Sequence, residues 1–116
     1  MADPIALIDA LNGTMAEAQE IVNALTPIAV QKAEAEYEYR VAKADRIEEL
    51  RKMGYPASLI VDLAKGERHV ADKARARDIA RDRYWNRQKE LQMRQAEADD
   101  LRAQIAREWR AAGWSE

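Results

Sequence analysis

Apolar residues recur along this chain in steps of three and four, and the rhythm breaks at one Gly- and Pro-bearing stretch. That spacing places them on one face of a helix, so the chain reads as two long helices joined by an elbow. Before the elbow, the line from Pro27 to Met53 runs through Val30, Ala33, Tyr37, Val41, Ala44, Ile47 and Leu50. Glu34, Glu36, Glu38, Lys43, Asp45, Glu48 and Glu49 fill the positions between. After it, the line runs through Val70, Ala74, Arg77, Ala80, Tyr84, Leu91, Ala98, Leu101, Ile105 and Trp109, a thin stripe for a helix of about 65–70 Å at 1.5 Å per residue.

The elbow itself is Met53-Gly54-Tyr55-Pro56-Ala57-Ser58-Leu59-Ile60-Val61-Asp62-Leu63-Ala64-Lys65-Gly66. Gly54 suits the left-handed position that ends a helix, Pro56 presets the first turn of the next, and Gly66 closes it. Long helices on both sides of such an elbow make the chain double back as a hairpin.

Towards the N-terminus, Asp3-Pro4 is a cap followed by a first-turn proline, which predicts a short helix over about 4–12. Asn12-Gly13 ends it, and Thr14 with Glu17 forms a capping box for the next. Thr26-Pro27 interrupts the periodicity, either as a kink or with Thr26 as the cap of a new helix, and separate helices are the favoured reading. The expected organisation is a single all-α domain over 1–116: a short helix at 4–12, a first arm of 14–25 and 27–53, an elbow helix at 57–65 and a second arm at 67–112. Two such arms bury a narrow seam and leave apolar surface open, so assembly into an oligomeric helical bundle, a homodimer or higher, is expected.

Composition supports helices and excludes several function classes. The 116 residues are 47% hydrophobic and 34% charged, with no Phe and aromatics at 6%, a profile of long helices rather than sheets. The absence of Cys excludes disulfides, thiol catalysis and Cys-based zinc. Asp3 and Asp9 interrupt the apolar group Ile5–Leu11, which therefore reads as neither a signal peptide nor a membrane span. A soluble cytoplasmic protein is expected. The net charge of −2 is uneven: residues 1–58 hold ten acids and six bases, residues 59–116 eleven acids and thirteen bases. Lys65–Arg94 alone holds ten bases against five acids, the kind of asymmetry that can mark a nucleic-acid face.

Catalytic chemistry finds little to stand on. One His, two Ser and no Cys supply no nucleophile–base arrangement, and there is no Gly-rich phosphate loop. His69 near Glu67 and Asp72 lacks matching metal ligands elsewhere, and Asp99-Asp100 read as surface acids. No catalytic residue, metal or cofactor is expected, and an enzyme is the last choice. The most suggestive constellation is Arg77, Arg81, Tyr84, Trp85, Arg87 and Gln88. Arginines offer phosphate forks and aromatic rings stack on bases, so this face is a candidate for a ligand or partner. The competing structural reading makes Tyr84 a core residue, Trp85 an oligomer contact and the arginines partners of Asp78 and Asp82. Tyr55 on the turn, with Trp109 and Trp114 near the C-terminus, are candidate interface anchors.

Tyr39-Arg-Val-Ala-Lys, the elbow Gly54-x-Pro-x-Ser-Leu-Ile-x-Asp-Leu-Ala-Lys-Gly, and the closing Gln104-Ile-x-Arg-Glu-Trp109 resemble a family of small phage and prophage proteins of Gram-positive bacteria. The similarity covers about residues 37–109, with the elbow as its specific part; Lys73, Arg83, Arg87 and Arg94 stand where that family is apolar. The resemblance implies a phage origin and a non-catalytic helical hairpin, and it carries no established activity. Secreted WXG hairpins differ, with Trp-x-Gly in the turn where this chain has Gly54-Tyr55-Pro56. The leading functional expectation is a stoichiometric inhibitor of a host defence or nucleic-acid-processing system. Its target would be a nuclease, a CRISPR effector or a nucleotide signal held in an oligomer pocket. The alternatives are an accessory of phage DNA recombination or replication that binds single-stranded DNA or a DNA-processing partner, and a structural coiled coil or scaffold.

Overall fold

The computed structural model describes residues 3–113, and among them the chain forms three helices and no strand. Helix α1 spans Pro4–Lys52, α2 spans Ala57–Gly66 and α3 spans Arg68–Ala111. By packing, the chain divides into two compact units, residues 1–26 with 86–116 and residues 27–85.

Asp3 caps α1 as its position predicts: its carboxylate accepts the Ile5 N–H at 3.1 Å, and its carbonyl accepts that of Leu7. The predicted breaks inside the first arm do not occur, because α1 is one helix through Gly13 and Pro27. Thr14 and Glu17 are therefore mid-helix residues rather than a capping box. A proline inside a helix removes one donor, and a glycine costs up to about 1 kcal/mol, so both are local costs that a long helix absorbs. Ile21 and Ile28, on either side of Pro27, are both buried.

Gly54 ends α1 in the left-handed conformation, with φ +85°. The Gly54 N–H donates to Arg51 and the Tyr55 N–H to Leu50, the paired bonds of a Schellman closure. Arg51 and Lys52 complement the helix dipole there. Gly66 is the last residue of α2, but the break falls on Glu67, which is extended at φ −69°, ψ 138°. Glu67 then caps α3: its carboxylate accepts the Val70 N–H at 3.1 Å and its carbonyl accepts that of Ala71. The hydrogen bonds from Val70 and His69 hold this carboxyl below its ordinary range, with Arg46 adding attraction.

Which face turns inward is a seven-residue affair. Along α1 a line of shielded positions runs through Leu7, Leu11, Thr14, Ala18, Ile21, Leu25, Ile28, Lys32, Ala35, Tyr39, Ala42 and Arg46 in alternating steps of four and three, with Pro4, Ala24, Glu36, Lys43, Ile47 and Leu50 also shielded beside it. Along α3 the line is Val70, Lys73, Arg77, Ala80, Tyr84, Arg87, Leu91, Arg94, Ala98, Leu101, Ile105 and Glu108 in the same rhythm, with Ala74 and Gln88 beside it. The stripe predicted for α3 is largely this one. The stripe predicted for α1 is not: Ile47 and Leu50 face inward, while Val30, Ala33, Tyr37, Val41 and Ala44 are exposed. The side chains that displace them include Lys32, whose ammonium lies over the Tyr84 ring, and Arg46, which reaches Glu49 at 2.8 Å while its Nε is buried without a hydrogen-bond partner among the described residues.

In the unit of residues 27–85, Tyr39 and Ala42 pack on Val70 and Ala74, and Leu50 packs with Ile60, Ala64 and Ile47, fixing the elbow helix to the arm. Antiparallel pairing shows in the bridges Glu38–Lys73 at 3.0 Å and Glu36–Arg81 at 3.7 Å, with Gln31 accepting from Arg83. In the other unit Leu7, Ile21 and Ala98 are buried, and Glu17–Arg94 at 3.3 Å shows the same antiparallel sense.

Two expectations follow. Glycine-to-alanine exchange should act with opposite sign at two positions: Gly54→Ala should lose about 1 kcal/mol, because an L side chain is strained at φ +85°. Gly13→Ala, in open space on a helix, should gain about 0.5–1 kcal/mol; urea unfolding monitored by circular dichroism compares them. Glu67→Gln should weaken the fold at neutral pH. Because the folded-state carboxyl titrates lower than an unfolded one, its stabilisation is present above the ordinary carboxylate range and lost as pH falls through the folded value. Urea midpoints of the two proteins should therefore converge at acid pH.

Candidate functional site

The inward rotation of Tyr39 builds the most structured polar site in the unit of residues 27–85. Tyr39 is buried, and the Arg77 guanidinium lies on its ring at 4.1 Å from the centroid, with the Lys43 ammonium over the same ring at 5.9 Å. Around this stack opens a shallow notch of about 600 Å³, lined by Glu36, Tyr39, Arg40, Lys43, Ala44, Ile47, Lys65 and Arg77. Four cations face one carboxylate there. Lys65 arrives from the last turn of α2, so the elbow completes a site that the arms only begin.

The cations are not equivalent. Arg40 bonds Glu36 at 3.1 Å, and Arg77 bonds Asp78 at 3.0 Å with Glu36 at 4.0 Å. Burial opposes the charge on Arg77, but Asp78 and the Tyr39 hydroxyl more than restore it, leaving the guanidinium more firmly protonated than usual. Lys43 and Lys65 have no carboxylate partner among the described residues. They are the groups with charge to offer a ligand.

The residues of the face singled out from the sequence all lie on α3 and take individual partners. Arg77 belongs to the Tyr39 notch, and Arg81 bridges to Glu36 at 3.7 Å. Tyr84 is half-buried, with Lys32 over its ring at 5.5 Å and Trp85 edge-on at 5.6 Å; Trp85 itself is exposed. The pairing of Arg77 with Asp78 follows the structural reading, whereas Arg81 finds Glu36 rather than Asp82. Arg87 and Gln88 fall in the other unit, where Arg87 bridges to Glu90 at 3.0 Å and Gln88 is half-buried. Tyr55 and Trp109 are exposed, and Trp114 lies outside the described residues.

Sequence reasoning missed Tyr39, Arg40, Lys43 and Lys65 as site residues. The seven-residue rhythm running through Ile28, Lys32, Ala35, Tyr39 and Ala42 was the signal for Tyr39, with Arg40 and Lys43 its neighbours on the helix; nothing local points to Lys65. His69 sits beside a groove with Asp45, Arg46, Glu49 and Glu67, and no group of three or more His, Asp or Glu among the described residues is placed to hold a metal ion. No helix among them is long and apolar enough to cross a membrane. Comparison with protein-family models, curated proteins and solved structures finds no match.

Cutting the stack at its root checks this geometry. Arg77→Ala should cost about 1 kcal/mol of stability, the scale of a partly shielded cation–π contact with its ion pairs. Chemical denaturation measures it, and the Tyr39 ring signal in an NMR spectrum should shift with it.

Proposed function

We propose that this is a binding protein that acts without chemistry of its own, and that its ligand carries phosphate. The observation that supports this is the Tyr39 notch, where Lys43 and Lys65 stand without carboxylate partners beside Arg40 and Arg77. Arginines and lysines at an aromatic ring suit a phosphate with a base or ribose lying alongside. On the strength of the phage resemblance, the protein acts in the bacterial cytoplasm as an inhibitor of a host defence or nucleic-acid-processing system. In this reading it sequesters that system's nucleotide signal, as an assembly of its own copies. A second reading is favoured by the same cations: an accessory of phage recombination or replication that holds single-stranded DNA.

Fluorescence anisotropy with a labelled single-stranded oligonucleotide and a labelled adenine nucleotide, at low and near-physiological salt, tests the proposal. The Lys43→Glu/Lys65→Glu double variant should bind at least roughly ten-fold more weakly, a loss of about 1.4 kcal/mol, with helicity retained. Lys89→Glu, outside the notch, should bind as wild type. Nucleotide binding supports sequestration, and oligonucleotide binding that falls steeply with salt supports the recombination role. Binding of neither at low salt overturns the phosphate reading.

A further inference from the structure

Helix α1 carries two apolar stripes, and the fold uses one. Its inward face in the unit of residues 27–85 is Ile28, Ala35, Tyr39 and Ala42. Roughly half a turn away lie Val30, Ala33, Tyr37, Val41 and Ala44, at helical spacing over about four turns. Val30 is 58% exposed, Tyr37 66% and Val41 41%, and both alanines are exposed. Scattered apolar residues on a surface need no explanation, but an aligned row of five does. The outward face of α3 has no equivalent: Ile79 and Met93 are separated by Asn86 and flanked by Asp72 and Asp100 at the same heptad position.

The charges along the edges of this row say what it fits. Along the row, Glu34 and Asp45 stand on one edge and Arg40 on the other; past its end Arg51 is bridged by Glu48, and Lys52 follows Asp45. Glu36 shares the basic edge but is engaged by Arg40, Arg77 and Arg81. A second copy lying parallel brings the acidic edge of each chain onto the basic edge of the other. Arg40 then faces Asp45 of the second copy, five positions on, the spacing of edge pairs in parallel coiled coils. Turned antiparallel, the same row sets acid against acid. Parallel pairing also puts both elbows at one end, where Leu59 is 50% exposed and Leu63 42%.

Building on the self-assembling reading above, we infer that α1 pairs with α1 of a second copy along Val30, Ala33, Tyr37, Val41 and Ala44, in parallel and about a two-fold axis. Such an interface is self-complementary and closes at two chains. Arg40 and Ala44 belong both to this row and to the Tyr39 notch, so each pair of chains carries two notches beside its shared seam.

The test is the solution mass of the full chain, from sedimentation equilibrium over a hundred-fold concentration range, beside disulfide trapping. Wild type should be dimeric. Tyr37→Glu with Val41→Asp should be monomeric, with the helical circular dichroism of wild type, because both residues lie outside the hairpin's core. Since the natural chain has no Cys, Ala44→Cys on its own reports the register: it should oxidise to a covalent dimer far faster than Ala76→Cys on the exposed face of α3. A monomeric wild type, or a Tyr37→Glu/Val41→Asp variant that stays dimeric, overturns the interface. A dimer in which Ala44→Cys does no better than Ala76→Cys overturns the parallel arrangement. None of these outcomes depends on phosphate binding, so the notch and the interface stand or fall separately.

Discussion

Each of the two units depends on a narrow seam between α1 and α3 whose facing positions largely repeat every seven residues. A strict alternation of four- and three-residue steps keeps one line of side chains turned towards the partner helix. The line is not uniformly apolar: Lys32 and Arg46 occupy it on α1, and Lys73, Arg77, Arg87 and Arg94 on α3. Such residues shield the seam with their stems and send their charges to its rim. The rim then becomes the specific part. Glu17 meets Arg94, Glu36 meets Arg77 and Arg81, and Glu38 meets Lys73, with the acid on α1 and the base on α3 each time.

That division of charge explains why the site forms where it does. Glu36 and Glu38 of α1 are engaged by Arg77, Arg81 and Lys73 of α3, and Tyr39 gives the Arg77 guanidinium a ring to lie on. What the rim leaves over is Lys43 and, from the elbow helix, Lys65. A surplus of cations beside an aromatic ring is thus a by-product of how the seam is satisfied, held rigid by the core of Leu50, Ile60 and Ala64.

How much of this the sequence discloses varies by element. The elbow is legible because Gly54 and Pro56 each have one conformational use there, and their effects are local. The inward face of α3 is legible because Val70, Leu91, Ala98 and Ile105 have no apolar competitor. On α1 the apolar residues split between two faces, and the more conspicuous row, from Val30 to Ala44, is the exposed one. Counting hydrophobic residues favours that row; counting in sevens, with Lys32 and Arg46 admitted as seam residues, favours the other. Pro27 and Gly13 mislead because the local cost of one proline or glycine is too small to end a helix of this length. The notch was half legible: Arg77 stood out, but its ring partner sat on the face assigned to solvent, and Lys65 reaches it only through the tertiary fold.

The Schellman closure at Gly54 carries a meaning beyond its hydrogen bonds. The seam recognises an α3, not its own α3; every contact along it would be equally satisfied by the second arm of a neighbouring chain. The reversal made by the breaks at Gly54 and Glu67 makes the two arms of one molecule the nearest candidates. A chain unable to reverse there keeps both halves of its recognition code and exchanges arms with its neighbour instead. The elbow therefore decides less whether the helices pair than with whom, and its two breaks separate a self-contained hairpin from an interlocked pair.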